Sequence, residues 1–212
     1  MSSVREYSKR EFCSRQELRD WLEANHATAD TFWLVSYKKH VTDRYVPYGH
    51  IVEELLCFGW VDSRTRRVDD ERTMLLVGPR KPGSTWSASN KKRAAKLTKN
   101  GLMTAAGQMK IDAAKRDGSW HYLDDIENLV IPDDLAAALQ VNLSAKENFE
   151  SFNDSAKKVI LMWIKSAKRD VTRSKRVGET VRLAAKGLKA AHPEAQGQLS
   201  GLLDNGKTGL PK

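Results

Sequence analysis

A chain of 212 residues spans the range from one large domain to two small ones and is long enough to bury a hydrophobic core. Apolar residues make up 40% and charged residues 30%, which excludes a disordered chain, and no apolar run reaches the roughly 18 residues a bilayer span needs. The net charge of +9 is unevenly spread: residues 60–100 carry eleven Lys/Arg against four Asp/Glu, residues 101–154 four against ten, and residues 155–190 eleven against two. Such a pattern either closes on itself in the fold or leaves a basic face for phosphate-rich partners.

The opening MSSVREYSKREFCSRQ has scattered charges and no apolar segment of the kind that directs export, so a cytoplasmic location is expected. Ser14 followed by Glu17 reads as a capping box, in which the Ser hydroxyl accepts from a free helical N–H and Glu17 reaches back to the Ser backbone. Leu18, Trp21 and Leu22 then share one face of a helix running to about Asn25. The aromatic and β-branched run TFWLVSYK (31–38) reads as a strand. Pro47 opens a helix through Ile51, Leu55 and Leu56 that stops at Gly59; His50, Glu53 and Glu54 read as its exposed charged face.

Trp60 to Val68 and Thr73 to Val77 read as the two strands of a hairpin turning at Asp69-Asp70. Gly78-Pro79 and Pro82-Gly83 break regular structure, and Ser87 caps a basic helix ending at Asn100-Gly101. Thr104 caps the next helix, which ends at Asp117-Gly118; Pro132 opens another, and Ser144 with Glu147 reads as a second capping box. Val159, Ile160, Trp163 and Ile164 mark a buried stripe, and a last helix runs from about Val171 to Lys186. About eight helices and three or four short strands predict an α+β fold, mostly helical, with a small antiparallel sheet and a helical C-terminal half. Residues 1–190 are read as a single domain and residues 191–212, rich in Gly and polar side chains, as a flexible tail.

The chemically dense stretch is Cys57 to Asn90. On a regular strand Trp60, Asp62, Arg64 and Arg66 share one face. A carboxylate between a Trp and arginines reads either as an Asp62–Arg ion pair fixing the hairpin or as a pocket with an aromatic wall. Downstream, Arg80 and Lys81 sit on a Pro-braced loop that feeds the helix start at Ser87, with Trp86 as a flat stacking surface and Asn90 one turn on. A helix N-terminus carries unpaired N–H groups and partial positive charge, so this is phosphate- or carboxylate-binding chemistry, set against an ordinary Ser cap with a Trp in the core. The candidate ligand-binding set is Trp60, Asp62, Arg64, Arg80, Lys81, Trp86, Ser87 and Asn90.

Several motifs in order carry a resemblance. They are Leu56 to Asp62 (LCFGWVD), Pro79 to Pro82 (PRKP), Thr85 to Ser87 (TWS) with Asn90, and Gly101 to Gly107 (GLMTAAG). Ala114 to Trp120 (AKRDGSW), Pro132 to Leu139 (PDDLAAAL) and Trp163 to Arg169 (WIKSAKR) with Thr172 and Arg173 follow. Together they resemble the YdeI/OmpD-associated family, also labelled bacteriocin-protection proteins, over roughly residues 12–186. The family more often has Gly where this chain has Ser63, and Ser or Asn where it has Thr85. The resemblance implies a role in stress tolerance and resistance to bacteriocins or cationic antimicrobial peptides; it brings no reaction and no catalytic residues.

No nucleotide-loop, nucleophile-elbow or zinc-protease motif occurs, and the five histidines are dispersed, so no catalytic residue, metal or cofactor is expected. Two cysteines, Cys13 and Cys57, are too few for a disulfide scaffold. Cys57 lies at a helix C-terminus, where the dipole disfavours a thiolate, and reads as a small buried hydrophobe. The expectation is a non-catalytic protein binding a small anionic or phosphorylated ligand. Backbone-type nucleic-acid binding through Lys91, Lys92, Arg93, Lys96, Lys99 and the cations of 165–176, or an enzyme using the same pocket, are the alternatives.

Overall fold

In the computed structural model the described residues are 6–191, so the expected tail lies, beyond Ala191, outside them. The chain divides into two compact units, one ending at Leu123 and the other beginning at Asp124. About half of it is helical, with a small sheet in the first unit.

The first unit opens with β1 (Lys9–Glu11), α1 (Arg15–Asn25) and β2 (Phe32–Tyr37). Ser14 caps α1 by accepting from the Glu17 N–H at 3.1 Å, while the Glu17 carboxylate reaches back one residue further than expected, to the N–H of Cys13 at 2.8 Å. Then come α2 (Tyr48–Cys57), β3 (Trp60–Arg67) and β4 (Arg72–Pro79). The sheet order is β1-β2-β4-β3. Its β2–β4 and β3–β4 pairs are antiparallel as expected, but β1 pairs parallel with β2, so the sheet is mixed. β1 is three charged residues and has no apolar alternation to announce it.

Every residue of β2 is buried because both of its faces are covered. Phe32 and Leu34 join the main core with Leu55, Trp60, Leu75, Val77 and Trp86, while Trp33 and Val35 pack with Met74 and Leu76 on the other face. Gly59 ends α2 with φ of +72°, and a β-carbon there would meet Lys110 Cγ at 2.7 Å. On α2, Glu54 is not on the exposed face expected for it. It is only 1% exposed and takes hydrogen bonds from Arg15 Nε at 2.6 Å and Arg19 Nη1 at 2.8 Å. Two helices close the unit, α3 (Ala88–Lys99) and α4 (Ala105–Arg116), capped by Ser87 and Thr104 as the sequence predicts.

The second unit is helical: α5 (Asp124–Glu127), α6 (Asp133–Gln140), α7 (Leu143–Ser151), α8 (Asp154–Lys165) and α9 (Asp170–Ala184). The expected Ser144 box is replaced by Asn142, whose side-chain oxygen accepts from the Ala145 N–H at 3.0 Å. On α8 the buried stripe is Ala156, Ile160, Leu161 and Ile164; Val159 is exposed and Trp163 half-buried. Here the acidic–basic charge pattern closes on itself. Lys158 meets Glu127 at 2.7 Å, Lys165 meets Asp125 at 2.9 Å, and Arg173 meets Asp134 at 2.7 Å. Among the described residues no helix is long and apolar enough to cross a membrane.

Candidate functional site

The hairpin β3–β4 was expected to put Trp60, Asp62, Arg64 and Arg66 on one face, and a bulge prevents it. Asp62 pairs with Val77 but Thr65 pairs with Leu75, so Ser63 and Arg64 together oppose Leu76. The extra residue shifts the alternation. Trp60 and Asp62 keep the core-side face, whereas Arg66 pairs with Met74 on the other face and lies over the Trp33 ring at 5.1 Å. Arg64 is exposed.

Trp60 is a core residue whose indole Nε1 donates to the carbonyl of His26 at 3.1 Å. Asp62 is held by the Tyr48 hydroxyl, which donates to its Oδ2 at 2.8 Å, rather than by an arginine. Burial, reinforced by that bond, pushes the Tyr48 phenol up to about 12. Ser87 spends its hydroxyl on capping, accepting from the Asn90 N–H at 3.3 Å. None of Trp60, Asp62, Arg64, Ser87 or Asn90 lines the cavity described next.

Arg80, Lys81 and Trp86 do come together. They line a small cavity of about 50 Å³, completed by Lys110, Ala113, Ala114 and Asp117 of α4 and its C-cap, and by Ser119. Arg80 follows the last residue of β4, and its backbone N–H donates to the Gly59 carbonyl at 3.0 Å, which fixes the root of the side chain. Arg80 is 3% exposed, and its guanidinium lies over Trp86, with Cζ 3.9 Å from the ring centroid. One nitrogen is satisfied: Nη1 donates to the Thr85 carbonyl at 3.0 Å. Arg80 Nε and Nη2, and Trp86 Nε1, are buried without a hydrogen-bond partner.

A buried cation with unused donors and no carboxylate in contact is costly, and burial pulls this guanidinium down to about 10, with only the field of Asp62 opposing. Arg80, Lys81, Lys110 and Trp86 bring donors to the cavity, and the buried Ser119 hydroxyl can donate or accept. Asp117 brings an anionic acceptor, whose oxygens already accept from the Gly83 N–H at 3.1 Å and the Ser119 N–H at 2.9 Å. Arrangements of this kind suit a small acceptor or anion. Lys110, Asp117 and Ser119 lie some thirty residues downstream of Arg80, and nothing in their local sequence signals a common site.

Cys57 is fully buried, and desolvation with the charge of Glu54 pushes its thiol up to about 11, as suits a packed rather than a reactive cysteine. Among the described residues no group of three metal-ligating side chains could hold a metal ion.

Comparison with known families separates the two units. Residues 10–110, which include the Cys57–Asn90 stretch, match a domain of unknown function (DUF8412). Residues 128–187 match a family described as bacteriocin-protection, YdeI or OmpD-associated. No curated protein and no solved structure matches the chain. The family that the motifs resemble is thus matched over residues 128–187, within the second unit, whereas the motifs between Leu56 and Gly107 fall in the stretch matched by the domain of unknown function.

Proposed function

We propose that the protein is a binding protein for a small anion, held at Arg80 in the first unit, and that this binding serves protection against bacteriocins. The observation that carries the reading is the buried Arg80 guanidinium with two unpartnered nitrogens at the wall of a cavity. A water occupies about 30 Å³ of liquid volume, so a space of about 50 Å³ suits a halide or the carboxylate or oxyanion end of a larger molecule. Trp86 Nε1 supplies a further donor, and Lys81 and Lys110 add positive charge at the lining. The link to protection rests on the family matched by residues 128–187.

Thermal unfolding of the full chain in chloride, nitrate, acetate and phosphate tests the anion site. A ligand at a hundred times its Kd stabilises the native state by about 2.7 kcal/mol. At least one anion should raise the Tm of the wild type saturably and leave Arg80→Met unmoved, with Lys110→Met weakened in between. Equal shifts in wild type and both variants would refute the site.

A further inference from the structure

Where the core-side face of β2 and β4 meets the start of α2, the first unit has a cavity of about 310 Å³ that shares no lining residue with the one at Arg80. Its size is at the lower end of small-molecule sites. Phe32 and Leu34 fill the core-side face of β2, and two residues further on the alternation brings a serine. Ser36 is 4% exposed and lines the cavity, and its hydroxyl has no partner among the described residues. Thr73 lies opposite Ser36 and Thr65 opposite Leu75, so three hydroxyl residues share one face of the sheet. Thr73 donates to the Arg66 carbonyl at 3.0 Å, whereas the Thr65 hydroxyl has no partner among the described residues. Val46, Ile51 and Leu75 add apolar surface, and Tyr45 and Tyr48 add aromatic rings. The bond from Tyr48 to Asp62 gives that exposed ring a fixed place. The charged lining is Lys38 and Lys39, with no Asp or Glu. Lys38 Nζ donates to the carbonyls of Asp69 and Asp70 at 2.7 and 3.0 Å, while Lys39 is exposed and has no ion pair among the described residues.

We propose that this cavity binds an anionic monosaccharide, a single sugar ring carrying a carboxylate or a phosphate. A hydroxyl both donates and accepts, so Ser36, Thr65 and Thr73 match a polyol whose own groups do the same. The C–H faces of the ring pack on the apolar residues and on the tyrosines, which present an apolar body behind a polar tip. Lys39 supplies the counter-charge for the acid group. At about 30 Å³ of liquid volume per water, the space holds roughly ten water-sized groups, the extent of one sugar ring with its substituents. A nucleobase suits it less, because amide and carboxylate side chains that read base edges are missing from the lining. The competing account is that the hydroxyls face only water in an ordinary surface hollow.

Calorimetric titration of the full chain with glucuronate, glucose 6-phosphate and glucose tests the assignment, the two acids separating a carboxylate from a phosphate as the anionic group. At least one acid should bind at a single saturable site, with glucose weaker by about fivefold or more, the worth of one charge near a surface. Lys39→Gln, at an exposed position, should remove that difference and leave glucose as it was. Ser36→Ala combined with Thr65→Val, which deletes two unpartnered hydroxyls at little change in shape, should weaken acid and glucose alike, by about tenfold. Lys175→Gln on α9 lowers net charge equally and should leave every affinity unaltered. Acetate, small enough for the cavity at Arg80 and lacking a polyol, should not compete with the sugar acid, so this site and the one at Arg80 stand or fall separately. No saturable binding of either acid, glucose binding as tightly as the acids, affinities unmoved by Lys39→Gln or by the hydroxyl variant, an equal loss in Lys175→Gln, or displacement by acetate would each overturn the assignment.

Discussion

Two buried charges in the first unit are treated in opposite ways. Glu54 is matched by Arg15 and Arg19, each within hydrogen-bonding range of one of its oxygens, whereas Arg80 keeps two nitrogens unused. The contrast sets an order of effects for Glu54. Replacing both Arg15 and Arg19 with Met strands a buried carboxylate and should cost about 3–5 kcal/mol. Glu54→Leu removes that charge and leaves two partly exposed arginines that water can solvate, so it should cost clearly less. Urea unfolding of the two variants measures the order; the reverse ranking would contradict a charged, arginine-held Glu54. Neither burial was legible in the sequence. A Glu beside another Glu on an amphipathic helix reads as solvated, because the arginines that cover it lie 35 and 39 residues away. Arg80 read as part of an anion site, yet the α4 residues that close its cavity gave no local signal. Trp60 read as an aromatic wall because a strand pattern alone cannot say which face the core takes.

At the level of elements, most boundaries were readable because they rest on local chemistry. Ser14, Ser87 and Thr104 each accept a backbone N–H three residues on, the geometry their residue types favour. The second unit shows where that logic slips. Asn142 and Ser144 are both good caps two residues apart, and only tertiary packing selects between them. Ser144 instead donates to the Ala185 carbonyl at 3.4 Å, so its hydroxyl is turned toward α9. Asn142→Ala should therefore cost about 1 kcal/mol in urea unfolding, while Ser144→Ala should cost a few tenths at most. Comparable losses from both would mean that the helix starts at Ser144 in solution. The short elements were missed for a plain reason: β1 has three residues and α5 four, too few for any periodicity to show.

Over the whole chain, carboxylates with depressed pKa values set the pH response. The Tyr37 hydroxyl, followed by Arg72, lowers Glu11; Arg173 lowers Asp134; Arg182 lowers Glu179. Each has a folded pKa below its unfolded one, so its contribution is complete above the ordinary carboxylate range and disappears as pH falls through the folded value. Stability should hold from neutral pH to about 5 and decline below about 4, as a chain of net charge +9 becomes more positive still. Asp134→Asn should flatten that acid decline, measured as the pH dependence of the urea midpoint; an unaltered slope would show that the Arg173 pair does not shift the titration. The charge blocks were legible in outline. That the 155–190 cations meet the 124–134 acids is seen in three ion pairs, whereas the basic stretch of α3 has no acidic residue on its own helix to pair with.

The bulge at Ser63 and Arg64 works as a frame shift in the pattern of inward and outward side chains. Between Trp60 and Asp62 the strand reads in one phase, and from Thr65 onward in the other, with the Asp69 turn left intact. In related hairpins, a one-residue deletion at 63–64 would therefore remove the bulge while leaving Asp62 opposite Val77, Thr65 opposite Leu75 and the turn unaltered. Comparing such sequences position by position across that point would pair residues that face opposite ways.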